Sequence, residues 1–97
     1  MRVVLSRLAL AELDELLAYI SERSPLGARN VAARFRHAFD LIARHPEAAE
    51  RVEQRPDVRH LPLVCYPYAI YCEIGSDEAT VLRIMHGARR RPWSAEE

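Results

Sequence analysis

The spacing of the apolar residues changes near Asp57, from a helical period before it to an alternating period after it. Apolar side chains that recur every three or four residues bury one stripe of a helix, whereas alternating ones bury one face of a strand. A chain with this order must pack a helical half against a sheet. Its 97 residues are enough for one core and too few for two, so we expect a single domain over residues 1–97.

The first half begins with a short strand and continues into an amphipathic helix. Residues 2–5 alternate weakly and predict a strand, and Ser6 is a suitable N-cap for the helix that follows. The apolar stripe of this helix stops near Arg23, where we expect the helix to end. The stripe consists of Ala9, Leu13, Leu16, Leu17 and Ile20.

A second amphipathic helix follows after a tight turn. Ser24 is its predicted cap, and Pro25 takes the first helical position, where a missing N–H costs nothing. The helix should end at His45, because Pro46 disfavours helical geometry in the residue before it. Its apolar face consists of Ala28, Val31, Ala32, Phe35, Phe39 and Ile42. The two helices together predict a helical hairpin.

The alternating half predicts three strands, at about residues 58–64, 67–74 and 79–86. A two-residue turn at Ser76-Asp77 would pair Ile70 with Arg83 and bury a charge, so we expect an odd-length loop over residues 76–78 instead. The resulting register pairs Ile70 with Ile84, Cys72 with Leu82, and Tyr71 with Arg83.

This register gives the sheet two faces of different character. The face under the helices should carry Tyr68, Ile70, Cys72, Leu82, Ile84 and His86. The opposite face should carry Tyr71, Glu73, Val81, Arg83 and Met85, and we expect Arg59 to join them. The predicted fold class is therefore α+β: a short N-terminal strand and an α-helical hairpin packed on an antiparallel sheet, in the order β-α-α-β-β-β.

Several classes of protein are disfavoured by the composition. Cys65 and Cys72 form neither a CxxC motif nor a disulfide framework, and we expect buried free thiols. The four histidines lack metal-ligand spacing, so we expect no metal and no cofactor. No apolar run is long enough to cross a membrane, and the acids Glu12, Asp14 and Glu15 interrupt the N-terminal stretch. We expect a cytoplasmic protein without a signal peptide.

The charges are unevenly distributed although the net charge is zero. Residues 79–93 contain four arginines and no acid, and Trp93 follows them. A short run of this kind is most often a solvated tail. It is also the arrangement that binds an anionic surface.

Three segments carry a resemblance to a known family. They are LSRLALAELDELLAYI at the first helix, DVRHLPLVCYPYAIYCEI at the central strands, and VLRIMHGAR over residues 81–89. Together they resemble the ParE/RelE superfamily of bacterial toxins, with Arg59 and the tyrosine-rich run at 66–71 among the matching features. The resemblance implies the toxin of a type II toxin–antitoxin pair. Its implied partner is a cognate ParD-like antitoxin that binds DNA through a ribbon-helix-helix fold.

The superfamily has two functional branches, and the sequence favours one. RelE-like members cut messenger RNA on the ribosome, with basic side chains on the central strands and an arginine and an aromatic residue near the C-terminus. This chain has no lysine. Its predicted strand at residues 67–74 presents Tyr71 and Glu73 where a basic side chain would face phosphate. Arg89 matches the C-terminal arginine, but Trp93 lacks a phenolic proton. ParE-like members act on DNA gyrase and need no catalytic residues.

We therefore expect a ParE-like inhibitor of DNA gyrase without a catalytic site of its own. The alternative is a RelE-like ribosome-dependent mRNA endonuclease. A third hypothesis is a protein-interaction domain without toxicity, which an adjacent ribbon-helix-helix gene would argue against.

Candidate binding residues follow from this interpretation. The candidates for target binding are Arg83, His86, Arg89, Arg90, Arg91 and Trp93. Structural alternatives exist for three of them: His86 could bond to Tyr68 across the hairpin, Arg83 could pair with Glu73, and Trp93 could pack on the sheet. An extended or helical antitoxin arm, rich in acids and large apolar residues, should contact the helical hairpin and fold as it binds. The candidates for that contact are Leu17, Ile20, Arg29, Arg34 and Arg36.

Overall fold

The structure is a computed structural model that describes residues 1–86 of the chain. It begins with strand β1 (Arg2–Leu5) and the helices α1 (Arg7–Arg23) and α2 (Pro25–Arg44). A single 3-10 turn, Pro46–Ala48, leads into the remaining strands. These strands are β2 (Glu50–Val52), β3 (Arg55–Pro62), β4 (Tyr68–Ile74) and β5 (Glu78–His86).

Both helices begin at the serines that the sequence predicts as caps. The Ser6 hydroxyl accepts a hydrogen bond from the Ala9 N–H at 3.0 Å, and the Ser24 hydroxyl accepts one from the Gly27 N–H at 2.9 Å. Each bond satisfies one of the N–H groups that a helix start leaves without an internal partner. No helix among residues 1–86 is long and apolar enough to span a membrane.

The five strands form one sheet in the order β1-β5-β4-β3-β2. The N-terminal strand β1 lies parallel to β5, and the other neighbours are antiparallel. Two helices on a mostly antiparallel sheet confirm the predicted α+β class and element order. The sequence did not predict β2 and placed the start of β3 three residues late, because a strand of three residues is too short to show an alternating pattern.

The core lies mainly between the helices and one face of the sheet, here called the helix side. Val31, Phe35 and Ile42 of α2 are buried there against strand residues such as Ile70 and Ile84. A smaller cluster on the other face, here called the open face, contains no helix residue. Its members are Val52, Val58, Ala69 and Tyr71, with Leu82 and Met85 packed against them.

The predicted β4–β5 register is correct at the end of the hairpin away from the loop and wrong at the end next to the loop. Ile70 faces Ile84 and Tyr71 faces Arg83 as predicted, but Cys72 faces Val81 instead of Leu82. Leu82 is thus the extra residue of a β-bulge, which reverses the faces of the residues beyond it. The sequence hints at this, because apolar residues stand at 81, 82 and 84 and do not alternate.

The bulge corrects two further expectations. Val81 is fully buried on the helix side, and Leu82 packs on the open face, which is the reverse of the predicted assignment. The hairpin loop has four residues between the paired Ile74 and Ala79, not an odd number, since the bulge absorbs one residue. A side chain at Gly75 would meet the Glu78 carbonyl at 3.1 Å, so the close approach of the backbone favours glycine in this loop.

The connection between β3 and β4 contains the only positive φ angle among residues 1–86. Cys65 adopts a φ of 72°, in the left-handed region, and its thiol is exposed. The predicted burial of Cys65 is therefore wrong: the residue sits in a turn closed by a 2.9 Å hydrogen bond from the Leu63 N–H to the Tyr68 carbonyl. Only Cys72 is a buried thiol.

The backbone at Cys65 gives a test of this turn. A left-handed φ costs a residue with a Cβ about 1 kcal/mol or more, and a β-branched side chain increases that cost. We expect Cys65→Gly to leave the free energy of unfolding unchanged or raise it by up to about 1 kcal/mol, whereas Cys65→Val should lower it by about 1–2 kcal/mol. Urea unfolding followed by circular dichroism measures both, and equal stabilities for the two variants would contradict the turn geometry.

Candidate functional site

The carboxylate of Glu12, on α1, accepts three hydrogen bonds from β5. The Arg83 guanidinium donates two of them to Oε2, at 3.0 Å from Nε and 2.7 Å from Nη2. The Ile84 main-chain N–H donates the third, to Oε1, at 2.9 Å. One side chain thus joins the first helix to both the backbone and a side chain of the last strand.

This arrangement is needed because β1 is shorter than β5. The pairing of the two strands stops at Leu5 opposite Val81, and β5 continues to His86. The start of α1 supplies the missing partners: the Ser6 N–H donates to the Val81 carbonyl at 2.9 Å, and the Ser6 hydroxyl donates to the Leu82 carbonyl at 3.1 Å. Glu12 continues the series at Ile84, so α1 satisfies main-chain groups that a longer β1 would otherwise bond.

Arg83 is therefore not where the sequence placed it. We expected it on the open face, beside Glu73, but it reaches α1 and bonds to Glu12. That hydrogen bond raises the pKa of Arg83 against an opposing effect of burial, and the guanidinium remains charged. The pairing of Arg83 with Tyr71 is as predicted, so the error concerns the partner of the guanidinium and not the strand register. With its side chain 28% exposed, Arg83 has limited access to a macromolecular target.

Arg59 also faces the helix side, not the open face as expected. Its guanidinium donates a 2.9 Å hydrogen bond to the Ala49 carbonyl, and the residue lies opposite Cys72 in the strand pairing. Burial raises the pKa of the Cys72 thiol to about 11, and the nearby positive charge of Arg59 only partly offsets that rise. Cys72 is consequently a neutral core residue at physiological pH and not a nucleophile.

The open face is predominantly apolar at its centre. Tyr71, which the sequence placed there, is only 5% exposed and lies in the open-face cluster. Its ring contacts the His60 ring at a centroid distance of 5.0 Å, and Glu73 is exposed beyond it. The two arginines that the sequence also placed on this face bond elsewhere, Arg59 to the Ala49 carbonyl and Arg83 to Glu12 of α1.

The remaining target-binding candidates lie at or beyond the end of β5. His86 faces Tyr68 across the hairpin as predicted, and the two rings meet edge to face at 5.7 Å. Arg89, Arg90, Arg91 and Trp93 lie outside the described residues. Their proposed role in target binding stays a prediction.

The antitoxin-binding candidates divide into two groups. Arg29, Arg34 and Arg36 are exposed on α2. Arg29 and Arg36, seven residues apart, share one side of the helix, here called the arginine face. Leu17 and Ile20 are half-buried and pack against the helix-side core, so only part of each side chain is open to a partner. Their contact with an antitoxin also stays a prediction.

An open cleft of about 520 Å³ lies between α1 and the end of β5, here called the α1–β5 cleft. The residues lining it are Glu12, Glu15, Leu16, Tyr19, Tyr68, Ile84, Met85 and His86. The sequence gives no sign of this site, since Glu12 and Glu15 look like ordinary residues of the polar helix face. Among residues 1–86, no group of three or more histidine, cysteine or acidic side chains could hold a metal ion.

Glu12 should matter for stability more than its neighbours do. Glu12→Ala leaves the Ile84 N–H and the Arg83 guanidinium without their acceptor, and we expect it to lower the free energy of unfolding by about 2–3 kcal/mol. Glu12→Gln keeps one carbonyl oxygen for the Ile84 N–H and should cost only about 1 kcal/mol. Urea titrations give these values. The control is Glu15→Gln, one turn further along, and a comparable loss there would refute the special role of Glu12.

Comparison with known proteins agrees with this architecture. Residues 3–91 match the family described as the ParE toxin of type II toxin-antitoxin system, parDE. The toxin candidate Y4kP of Sinorhizobium fredii is 37% identical over 84 residues, which cover 87% of this chain and 85% of that protein. Toxin RelE2 of Caulobacter vibrioides is 34% identical over 88 residues, which cover 91% of this chain and 97% of that protein.

A solved structure shares the fold at lower sequence identity. It is described as the chromosomal ParDE TA system from P. aeruginosa and is 23% identical, with a TM-score of 0.76 over 89% of this chain and 95% of that one. The strand order and the helical hairpin agree with the sequence similarity. The chain belongs to the ParE toxin family of type II toxin–antitoxin systems.

Proposed function

We propose that this toxin inhibits DNA gyrase in the bacterial cytoplasm and is neutralised by a cognate ParD-like antitoxin with a ribbon-helix-helix DNA-binding domain. In this proposal the protein acts by binding and carries no catalytic residues. Membership of the ParE family supports the proposal. The arrangement of charge on the sheet supports it further.

The orientation of the strand arginines is the observation that carries the proposal. Cleavage of an RNA backbone requires groups that activate the 2′-hydroxyl, stabilise the phosphate and protonate the leaving oxygen. Arg59 and Arg83, the arginines within the central part of β3 and β5, are bonded to Ala49 and to Glu12 of α1. The centre of the open face presents apolar side chains and the exposed Glu73, which would repel phosphate.

The arginine face supports the antitoxin part of the proposal. Arg29, Arg34 and Arg36 are all exposed, and the one acid of α2, Asp40, is paired with Arg44 at 2.6 Å. A basic helix face of this kind suits an acid-rich arm that orders as it binds. Antitoxin binding would then place complementary charge on a surface that is otherwise solvated.

A ribosome-dependent mRNA endonuclease is the second candidate function. The observation in its favour is the 34% identity to toxin RelE2 of Caulobacter vibrioides, whose name belongs to the ribonuclease branch. The sheet geometry disfavours it for the reason given above. The two candidates differ in the process that they stop first, so they can be separated by experiment.

Purified toxin should block supercoiling of relaxed plasmid DNA by gyrase, and added antitoxin should restore it. Induction in a sensitive host without the antitoxin should give cell filamentation and a DNA-damage response. Toeprinting on programmed ribosomes should show no cleavage within the A-site codon, since Arg59 and Arg83 are already bonded to Ala49 and Glu12. Immediate translation arrest with A-site cleavage would refute gyrase as the target and establish the second candidate.

The basic segment after β5 should be the main determinant of toxicity. Arg89, Arg90 and Arg91 follow one another closely without an intervening acid, which suits an anionic protein surface or gyrase-bound DNA. We expect the triple variant Arg89→Ala, Arg90→Ala, Arg91→Ala to lose growth inhibition while its circular dichroism spectrum and antitoxin binding persist. The contrasting control is Ile84→Asp, which buries a charge in the core and should abolish folding.

Growth assays paired with the spectra decide between a loss of function and a loss of fold. A triple variant that remains fully toxic would place the active surface elsewhere, with the helical hairpin as the next region to test.

A further inference from the structure

The helical hairpin is polarised in charge. Helix α1 carries four acids and two arginines, whereas α2 carries four arginines and one acid. An antitoxin arm that crosses both helices therefore meets surfaces of opposite sign. An arm that is acidic along its whole length would suit α2 and be repelled at α1.

The acidic side chain best placed to meet a partner is Glu15. It is exposed on the wall of the α1–β5 cleft, and no hydrogen bond or ion pair within residues 1–86 occupies its carboxylate. Glu12, the other acid of the cleft, is already bonded to Arg83 and Ile84. Glu15 thus offers an open negative charge above an apolar floor that includes Leu16 and Ile84.

The strand edge beside the cleft offers a main-chain acceptor. In a strand the N–H and C=O of one residue point to the same edge. The Ile84 N–H points to α1, where it bonds to Glu12, so the Ile84 carbonyl points to this side as well. A helix bonds its own N–H groups internally and cannot reach such an acceptor along its flank, whereas an extended segment can.

We propose that the α1–β5 cleft binds an extended segment of the cognate antitoxin, with an arginine or lysine directed at Glu15. Apolar side chains of the segment lie on Leu16, Tyr68 and Met85, and one of its N–H groups donates to the Ile84 carbonyl. The arm is thus basic here and acidic over the arginine face. The inference rests on the proposed antitoxin partner and adds the chemistry and conformation of the segment that this cleft takes.

The exposed Tyr19 extends the binding surface along α1. Its ring is 56% exposed, and the Arg23 guanidinium lies 3.9 Å from the ring centroid, so the ring already contacts a cation on this helix. Glu15 and Tyr19 are both exposed, so these two residues can be changed without unfolding the protein.

The test is the affinity of full-length toxin for the antitoxin encoded beside it, measured by calorimetry. We expect Glu15→Arg to weaken binding at least about tenfold, because a like charge replaces the partner of the antitoxin cation. The matched control is Asp14→Arg, which makes the same charge change on α1 but does not line the cleft. It should change the affinity less than about threefold. An antitoxin with its facing arginine or lysine changed to glutamate should restore binding to the Glu15→Arg toxin.

The outcomes separate this inference from the proposed function. If the adjacent gene product does not bind the wild-type toxin at all, the antitoxin proposal itself fails. If it binds and the two charge reversals weaken it equally, the cleft proposal is overturned while the antitoxin remains.

Two further measurements would detect a different occupant of the cleft. Sedimentation that shows a wild-type dimer broken by Glu15→Arg would assign the cleft to a second copy. An antitoxin affinity that rises when Arg89, Arg90 and Arg91 are all alanine would assign it to the chain's own basic segment. Either result overturns the inference.

Discussion

The fold depends on how the edge of β5 is satisfied after β1 ends. Main-chain groups left without partners inside a protein cost as much as lost hydrogen bonds, and β5 extends five residues beyond the last β1 pair. Ser6 and Glu12 supply the bonds that a longer first strand would have made. The same contacts hold α1 against β5, and the cleft lined by Tyr19 and Met85 lies between these two elements.

The features that the sequence predicted are those set by nearby residues. Local chemistry sets the helix starts at Ser6 and Ser24 and the end of α2 before Pro46. Short-range alternation sets the β4–β5 pairs farthest from the hairpin loop, such as Ile70 with Ile84. The apolar stripes of the helices also identify most of the core correctly. Local rules were sufficient there because each of these features depends on residues only a few positions apart in the sequence.

The errors concern partners that are distant in sequence. Nothing near Arg83 indicates that it will bond to Glu12, 71 residues away, and nothing near Arg59 indicates the Ala49 carbonyl. A single extra residue at Leu82 was enough to reverse the predicted faces of Val81 and Leu82. These errors mattered for function, because the sequence placed two arginines on the open face as if they were available there. In the structure Arg59 bonds to Ala49 and Arg83 bonds to Glu12 of α1.

The parallel pairing of β1 with β5 ties folding to the progress of synthesis. Arg2 lies opposite Glu78, and Glu12 meets Ile84 across 72 residues, so the first strand and helix gain their partners only when the last strand has been made. Contacts this far apart form slowly, since the chain between them must first be brought together. A partly synthesised chain cannot assemble either the sheet edge or the cleft. During the interval between translation and folding, an antitoxin that is already present can reach the toxin before a target does.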